Sequence, residues 1–290
     1  MALYRDFRTP EELDREYNPR LAVPNVDDEF KRWAEDSARA RGALPGARLD
    51  VRYGPTRAEY LDLFPAEKAG APVHVFFHGG YWRAFTAKEF SFVAEPLRRR
   101  GVTTAVVNYA LCPEVTVEEI VRQCRAALAW VHRNAASFGG DPARISISGH
   151  SAGGHIVGMM LATEWERLYG LPADLVKTAC PISGLYDLEP FPFTWLQPTL
   201  QLGWDQVRRC SPLRHLPPAA PGPRVAVVVG GRESAEFHRQ AESYVAALAA
   251  AGHAPRYLDV EDRDHFTILH DLRGAGGGPL FDAILDAVGG

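Results

Sequence analysis

Gly149-His150-Ser151-Ala152-Gly153 carries the strongest structural signal in this 290-residue chain. Before it, Arg144-Ile145-Ser146-Ile147-Ser148 alternates β-branched and small residues, the pattern of a short buried strand. After it, Gly154-His155-Ile156-Val157-Gly158-Met159-Met160-Leu161 begins with small residues and continues apolar, as a buried helix does. A serine held between the two in G-x-S-x-G fits a strained strand-to-helix turn, with glycines where a Cβ would strike the neighbouring backbone. Such a turn lifts the hydroxyl off the main chain and sets it before a helix N-terminus, which favours developing negative charge.

Composition narrows the classes of function. The hydrophobic fraction is 46% with 23% charged residues, enough to bury a large core. Net charge is −4, and Arg98-Arg99-Arg100 is the longest basic run, a solvated helix end; nucleic acid is not an expected partner. The polar start, Met1 to Pro19, has no apolar signal core, and no stretch is apolar for long enough to span a bilayer, so no membrane partner is expected. Cys112, Cys124, Cys180 and Cys210 lack C-x-x-C spacing and read as buried free thiols in a reducing compartment, the cytoplasm.

Along the chain, residues 1–45 read as a polar helical leader, starting at Thr9-Pro10-Glu11-Glu12 and with a second helix over Asp27 to Arg41. This leader either crosses the mouth of a site or pads the sheet edge, and padding is the expectation from pattern alone. Leu49, Val51 and Tyr53, the break at Gly54-Pro55, and Tyr60 to Phe64 predict an antiparallel hairpin. Strands are then expected at Val73–Phe77, Val102–Tyr109, Arg144–Ser148, Val176–Ile182, Arg224–Val229 and Arg256–Val260. Helical spacing covers Lys88–Arg100, a helix opened by a Thr116/Glu119 capping box, Ala235–Ala250 and Leu280–Val288. Alternation of this kind implies one α/β domain over 1–290, a mostly parallel central sheet with helices on both faces. The Pro- and aromatic-rich stretch 186–223 is too long for a plain connection and reads as a small helical cap or lid.

A serine hydroxyl becomes nucleophilic only when a base takes its proton, and that base must be held in one tautomer by an acid. His265 follows the last strand, where a loop at the sheet's C-terminal edge reaches Ser151; His270 is the reserve. His238 and His253 fall in or just after a helix and read as surface residues, and His150 and His155 as packing or as supports of the site rather than bases. Glu233, after the strand Val225–Val229, is the expected acid, although it also reads as a helix cap. Asp187 competes for that role, while Asp264 adjoins His265 too closely to pair with its ring. Backbone donors for an oxyanion are expected from Gly79, Gly80 and Ala152, with a tight turn as the plain alternative for Gly79-Gly80. Tyr81 and Trp82 would wall the pocket as substrate-binding residues, Trp82 otherwise belonging to the core. His74 and His78 lack a third ligand for zinc, so neither metal nor cofactor is expected.

These residues resemble the α/β-hydrolase fold, and more narrowly the serine-dependent arylformamidase (kynurenine formamidase) branch beside the hormone-sensitive-lipase-like esterases. The likeness rests on Tyr17-Asn18 in the leader, Tyr53-Gly54-Pro55, His78-Gly79-Gly80-Tyr81-Trp82, Asn108 to Pro113, Gly149 to Gly154, Ser183 to Leu188, Glu233 to Gln240 and Asp264-His265-Phe266. It implies a nucleophile, acid and base at Ser151, Glu233 and His265, and a small-molecule aryl formamide, N-formylkynurenine-like, cleaved through a formyl-enzyme. A carboxylesterase of small acyl or aryl esters is the alternative, and a catalytically dead scaffold the reading from another class. Two departures stand out: the family often has Asp at the Glu233 position, and many esterase relatives carry a third glycine where this chain has Tyr81. Oligomeric state is left open, a homodimer included.

Overall fold

The computed structural model describes residues 2–217 and 222–288. Its strands are β1 (Arg48–Arg52), β2 (Tyr60–Phe64), β3 (Ala71–Phe77), β4 (Thr103–Val107), β5 (Gly140–His150), β6 (Thr178–Ile182), β7 (Arg224–Gly230) and β8 (Arg256–Val260). They form one eight-stranded sheet in the order β1-β2-β4-β3-β5-β6-β7-β8. The β1–β2 hairpin is antiparallel, as Gly54-Pro55 predicts, and β2 meets β4 antiparallel; from β4 to β8 every pairing is parallel.

The period-2 pattern of the strands assigns their faces. Val73, Val75 and Phe77 of β3 join one apolar cluster and Phe76 the other; Ala105 and Val107 are split from Val106 in the same way. Helices α4 (Val117–Asn134), α5 (Ala152–Leu161) and α9 (Ala235–Ala250) cover the first face. On the second lie α2 (Val26–Ala43), α3 (Ala94–Arg99) and α10 (Pro279–Val288). The remaining helices are α1 (Pro10–Tyr17), α6 (Trp165–Tyr169), α7 (Gln197–Leu200) and α8 (Trp204–Cys210).

Local chemistry departs from the sequence pattern at two places. The helix expected over Lys88–Arg100 is two 3-10 turns, at 87–89 and 91–93, followed by the six-residue α3. Pro96 explains this: without an N–H, and with a ring that crowds the preceding turn, it is tolerated only in a first turn. Thr116 does accept from the Glu119 N–H at 3.2 Å, but the Glu119 carboxylate turns to Arg122 and Gln123, so the capping box is half made. A complete box forms instead at Thr9 and Glu12, opening α1.

The leader does more than pad an edge. Leu13 and Tyr17 are fully buried, and the Tyr17 hydroxyl donates to Glu236 Oε2 at 2.6 Å. Asp14 accepts from the Trp195 N–H at 2.9 Å, and Ser234 donates to the Glu16 carbonyl at 2.6 Å. Over 186–217, irregular backbone followed by short helical turns sends Tyr186, Leu188, Phe191, Leu196 and Val207 into the main core.

Candidate active site

Ser151 stands at the junction of β5 and α5 with φ +57° and ψ −117°, a backbone conformation that side-chain-bearing residues rarely adopt. It is pinned there by its own N–H, which donates to the Ile182 carbonyl on β6 at 2.8 Å. The flanking glycines are sterically required. A Cβ on Gly149 would lie 2.4 Å from the Gly153 carbonyl oxygen, and one on Gly153 only 2.0 Å from the Phe77 carbonyl oxygen. The turn therefore forms by pressing backbone against backbone, which leaves the serine side chain as the group that projects.

His265 lies on the loop after β8, in a pocket of rings: Phe237 at 4.7 Å, His150 at 4.8 Å and Phe266 at 5.3 Å between centroids. Its Nδ1 is 2.6 Å from Glu233 Oε2. Since a carboxylate can only accept, Nδ1 carries the proton of this contact, and in the neutral ring Nε2 is then the nitrogen with the lone pair. Glu233 follows β7 with no exposed side-chain surface. Its Oε1 accepts from the Gly230 N–H at 2.8 Å and from the Ser183 hydroxyl. Both carboxylate oxygens are thus occupied, as a buried charge requires.

Ser151 and His265 line one cavity of about 550 Å³, together with Gly79, Gly80 and Tyr81. Gly79 fits beside Ser151 because it has no side chain: a Cβ would lie 3.2 Å from the Ser151 Cβ and 2.8 Å from the His150 carbonyl. Gly80 has φ +109°, and a Cβ there would meet the Ala84 carbonyl at 2.3 Å. Among the described residues, the N–H groups of Gly79, Gly80 and Ala152 donate to no protein acceptor. Backbone N–H groups without internal partners are available to an acceptor from outside the protein.

A family model described as the alpha/beta hydrolase fold matches residues 74–269, the span that holds Ser151, Glu233 and His265. The chain belongs to that family. A kynurenine formamidase from Danio rerio is 30% identical over 272 residues, covering 90% of this chain and 91% of its own. One from Salmo salar is 30% identical over 284 residues, covering 94% of each. Among solved structures, a protein from Silicibacter sp. TM1040 described as a candidate thioesterase matches with TM-score 0.80 at 32% identity, covering 94% of this chain and 99% of its own. The Pyrobaculum calidifontis esterase, at 18% identity and TM-score 0.69, shares the fold.

The competing side chains of this α/β hydrolase are engaged elsewhere. Asp187 accepts from the Tyr4 hydroxyl at 3.0 Å and from the Glu189 N–H, not from His265. Asp264 caps its own turn through the Phe266 and Thr267 N–H groups at 2.8 and 2.9 Å. His270 pairs with Glu29 at 2.7 Å, His238 meets the Tyr257 hydroxyl at 3.0 Å, and His253 reaches the Pro217 carbonyl at 3.2 Å. His74 is fixed between Ser146 and Ser148 at 2.9 and 2.7 Å, and burial drives its pKa down to about 3. His78 stacks on Tyr109 at 4.1 Å.

Trp82 differs from its expected place. It is fully buried and absent from the cavity wall, its indole donating to His155 Nδ1 at 3.2 Å, so it supports the wall from behind. The wall comes instead from the leader: Asn18, Arg20, Leu21, Phe30 and Trp33, with Trp195 as the contribution of the 186–217 stretch. Ser183, whose hydroxyl donates to Glu233, escaped the sequence reading. His150, read there as a packing or supporting residue, holds the His265 loop, its Nε2–H donating to the His265 carbonyl at 2.7 Å. Burial, with the nearby His265 adding to it, keeps the His150 pKa well below the ordinary value. No helix among the described residues is long and apolar enough to cross a membrane.

Proposed function

We propose that this hydrolase cleaves an aryl formamide, N-formylkynurenine-like, through a formyl-enzyme, with Ser151 as nucleophile, His265 as base and Glu233 as the group that orients it. The observation that carries this reading is the 2.6 Å pair of His265 and Glu233, set in one cavity with a serine on a strained turn. Kynurenine formamidases that align along nearly the whole chain support the choice of amide.

The steps follow from the groups present. Ser151 Oγ attacks the formyl carbon while His265 Nε2 takes the hydroxyl proton, and the Glu233 carboxylate stabilises the imidazolium. The carbonyl oxygen, now negative, is received by the N–H groups of Gly79, Gly80 and Ala152. The C–N bond then breaks, and His265 returns its proton to the departing aryl amine. That nitrogen shares its lone pair with the ring, so it leaves more readily than an alkyl amine. Water, deprotonated by His265, attacks the formyl ester and releases formate and the Ser151 hydroxyl. The formyl carbon bears only hydrogen, so the acyl side of the site can be narrow. The four cysteines are buried and free, which agrees with a cytoplasmic setting.

Steady-state rates on N-formylkynurenine and p-nitrophenyl acetate test the assignment. Measurable deformylation, lost by at least about a thousandfold in Ser151→Ala and by less in Glu233→Ala, is the expected result. Ester hydrolysis without deformylation would assign the chain to the carboxylesterases. A fully active Ser151→Ala would overturn the mechanism.

A further inference from the structure

The active-site cavity carries two arginines, Arg20 and Arg83, and no aspartate or glutamate in its wall. That bias runs against the chain as a whole, in which 36 acidic residues outnumber 32 basic ones. The rest of the wall is largely aromatic, with Phe30, Trp33, Tyr81, Phe85 and Trp195 around an opening suited to a flat ring.

The two guanidiniums are not equivalent. Both lie over an aromatic ring, Arg20 over Phe30 at 5.3 Å, but Arg20 is also 2.8 Å from Asp27, so its charge is already matched at the surface. Arg83 makes no ion pair and no side-chain hydrogen bond among the described residues. Its guanidinium lies over the Trp195 ring, 5.3 Å from the centroid. Stacking fixes the plane of the fork while leaving its N–H groups free to donate. The backbone beneath it is fixed as well: Gly80, Tyr81 and Trp82 all have positive φ, and the Arg83 N–H donates to the Gly80 carbonyl at 3.0 Å. Arg83 therefore stands three residues from a proposed oxyanion donor, on the same rigid turn.

We propose that Arg83 is the specificity-determining residue of this site, its fork receiving a carboxylate that the aromatic substrate carries away from the bond that breaks. The ring lies among the aromatic walls, the reacting carbonyl faces Ser151, and the carboxylate meets the Arg83 fork at the mouth. The pair is charge-assisted and geometrically matched, which makes it a determinant of selectivity as well as of binding. This inference rests on the reading of the Ser151 cavity as the active site, but not on the scissile bond being an amide.

The test is a ratio. An aryl formamide with a side-chain carboxylate and its methyl ester, or a matched anionic and neutral aryl ester if only esters are turned over, are compared by kcat/KM. Both members of a pair use Ser151, so general damage to the catalytic centre cancels. Wild type is expected to prefer the anionic member, and the preference to fall with added salt. Arg83→Met should lower the anionic-to-neutral ratio about tenfold or more, mainly through KM, and Arg83→Lys should restore part of it. Arg20→Met should move the ratio less. An unchanged ratio in Arg83→Met, or a larger change in Arg20→Met, would overturn the assignment. Failure of the formamidase reading would appear separately, as absent formamide turnover by wild type.

Discussion

Glu233 has no exposed side-chain surface, and its oxygens are divided between His265 on one side and Gly230 and Ser183 on the other. Hydrogen bonds to a buried charged group are worth about 1.5–3 kcal/mol each, so losing the Ser183 hydroxyl should loosen the carboxylate that holds the imidazole. Ser183→Ala is therefore expected to lower kcat/KM about tenfold. Because Ser183 touches no reacting atom, its effect must pass through Glu233. In a Glu233→Ala background, Ser183→Ala should change the rate little, and steady-state kinetics on the four proteins of this cycle would read the coupling. Additive losses would count against the positioning role. Ser183 also has φ +49°, so it shares with Ser151 a positive φ, which side-chain-bearing residues rarely adopt.

The elements divide by how far their causes lie along the chain. The elbow is legible in sequence because the clashes that demand Gly149 and Gly153 come from a local turn against its neighbouring strand. His265 is legible because the loop after the last parallel strand is bound to reach the same sheet edge as Ser151. The link between Ser183 and Glu233 is not, because it spans 50 residues and no periodicity marks it. Nor is the role of the leader, whose polar face reads as solvated while its partners lie more than 200 residues away on α9. There Tyr17 donates to Glu236 at 2.6 Å, accepts from Gln240 at 3.1 Å, and packs on Phe191 at 5.0 Å. Tyr17→Phe keeps the ring but leaves buried polar atoms short of a partner, costing about 1–3 kcal/mol. Tyr17→Ala also opens a cavity, for about 3–5 kcal/mol. Thermal unfolding should show a drop of several degrees in the first and a larger one in the second. An unchanged Tm in Tyr17→Phe would mean the hydroxyl contributes nothing.

At the scale of the whole molecule, the sheet encloses histidines that have no access to solvent. Burial lowers the pKa of His74 to about 3 and those of His78 and His155 to about 4. In the unfolded chain the same rings take up protons near pH 6.5. As pH falls below that value the unfolded state binds protons that the native state refuses, so stability falls with it. The loss approaches about 1.4 kcal/mol per pH unit for each ring until the native value is reached. The chain should therefore be stable above about pH 7 and lose stability steeply between about pH 6.5 and 4. Urea midpoints at about pH 7.5 and 5 would measure this slope, and His74→Gln identifies its origin. Without the ring, Ser148 loses its partner in the strand interior, so the variant starts less stable at pH 7.5. It should nevertheless lose less than wild type on acidification, because one proton-binding site has gone from the unfolded state. An equally steep slope in the variant would mean that His74 titrates alike in both states, and that acid sensitivity arises from the carboxylates instead.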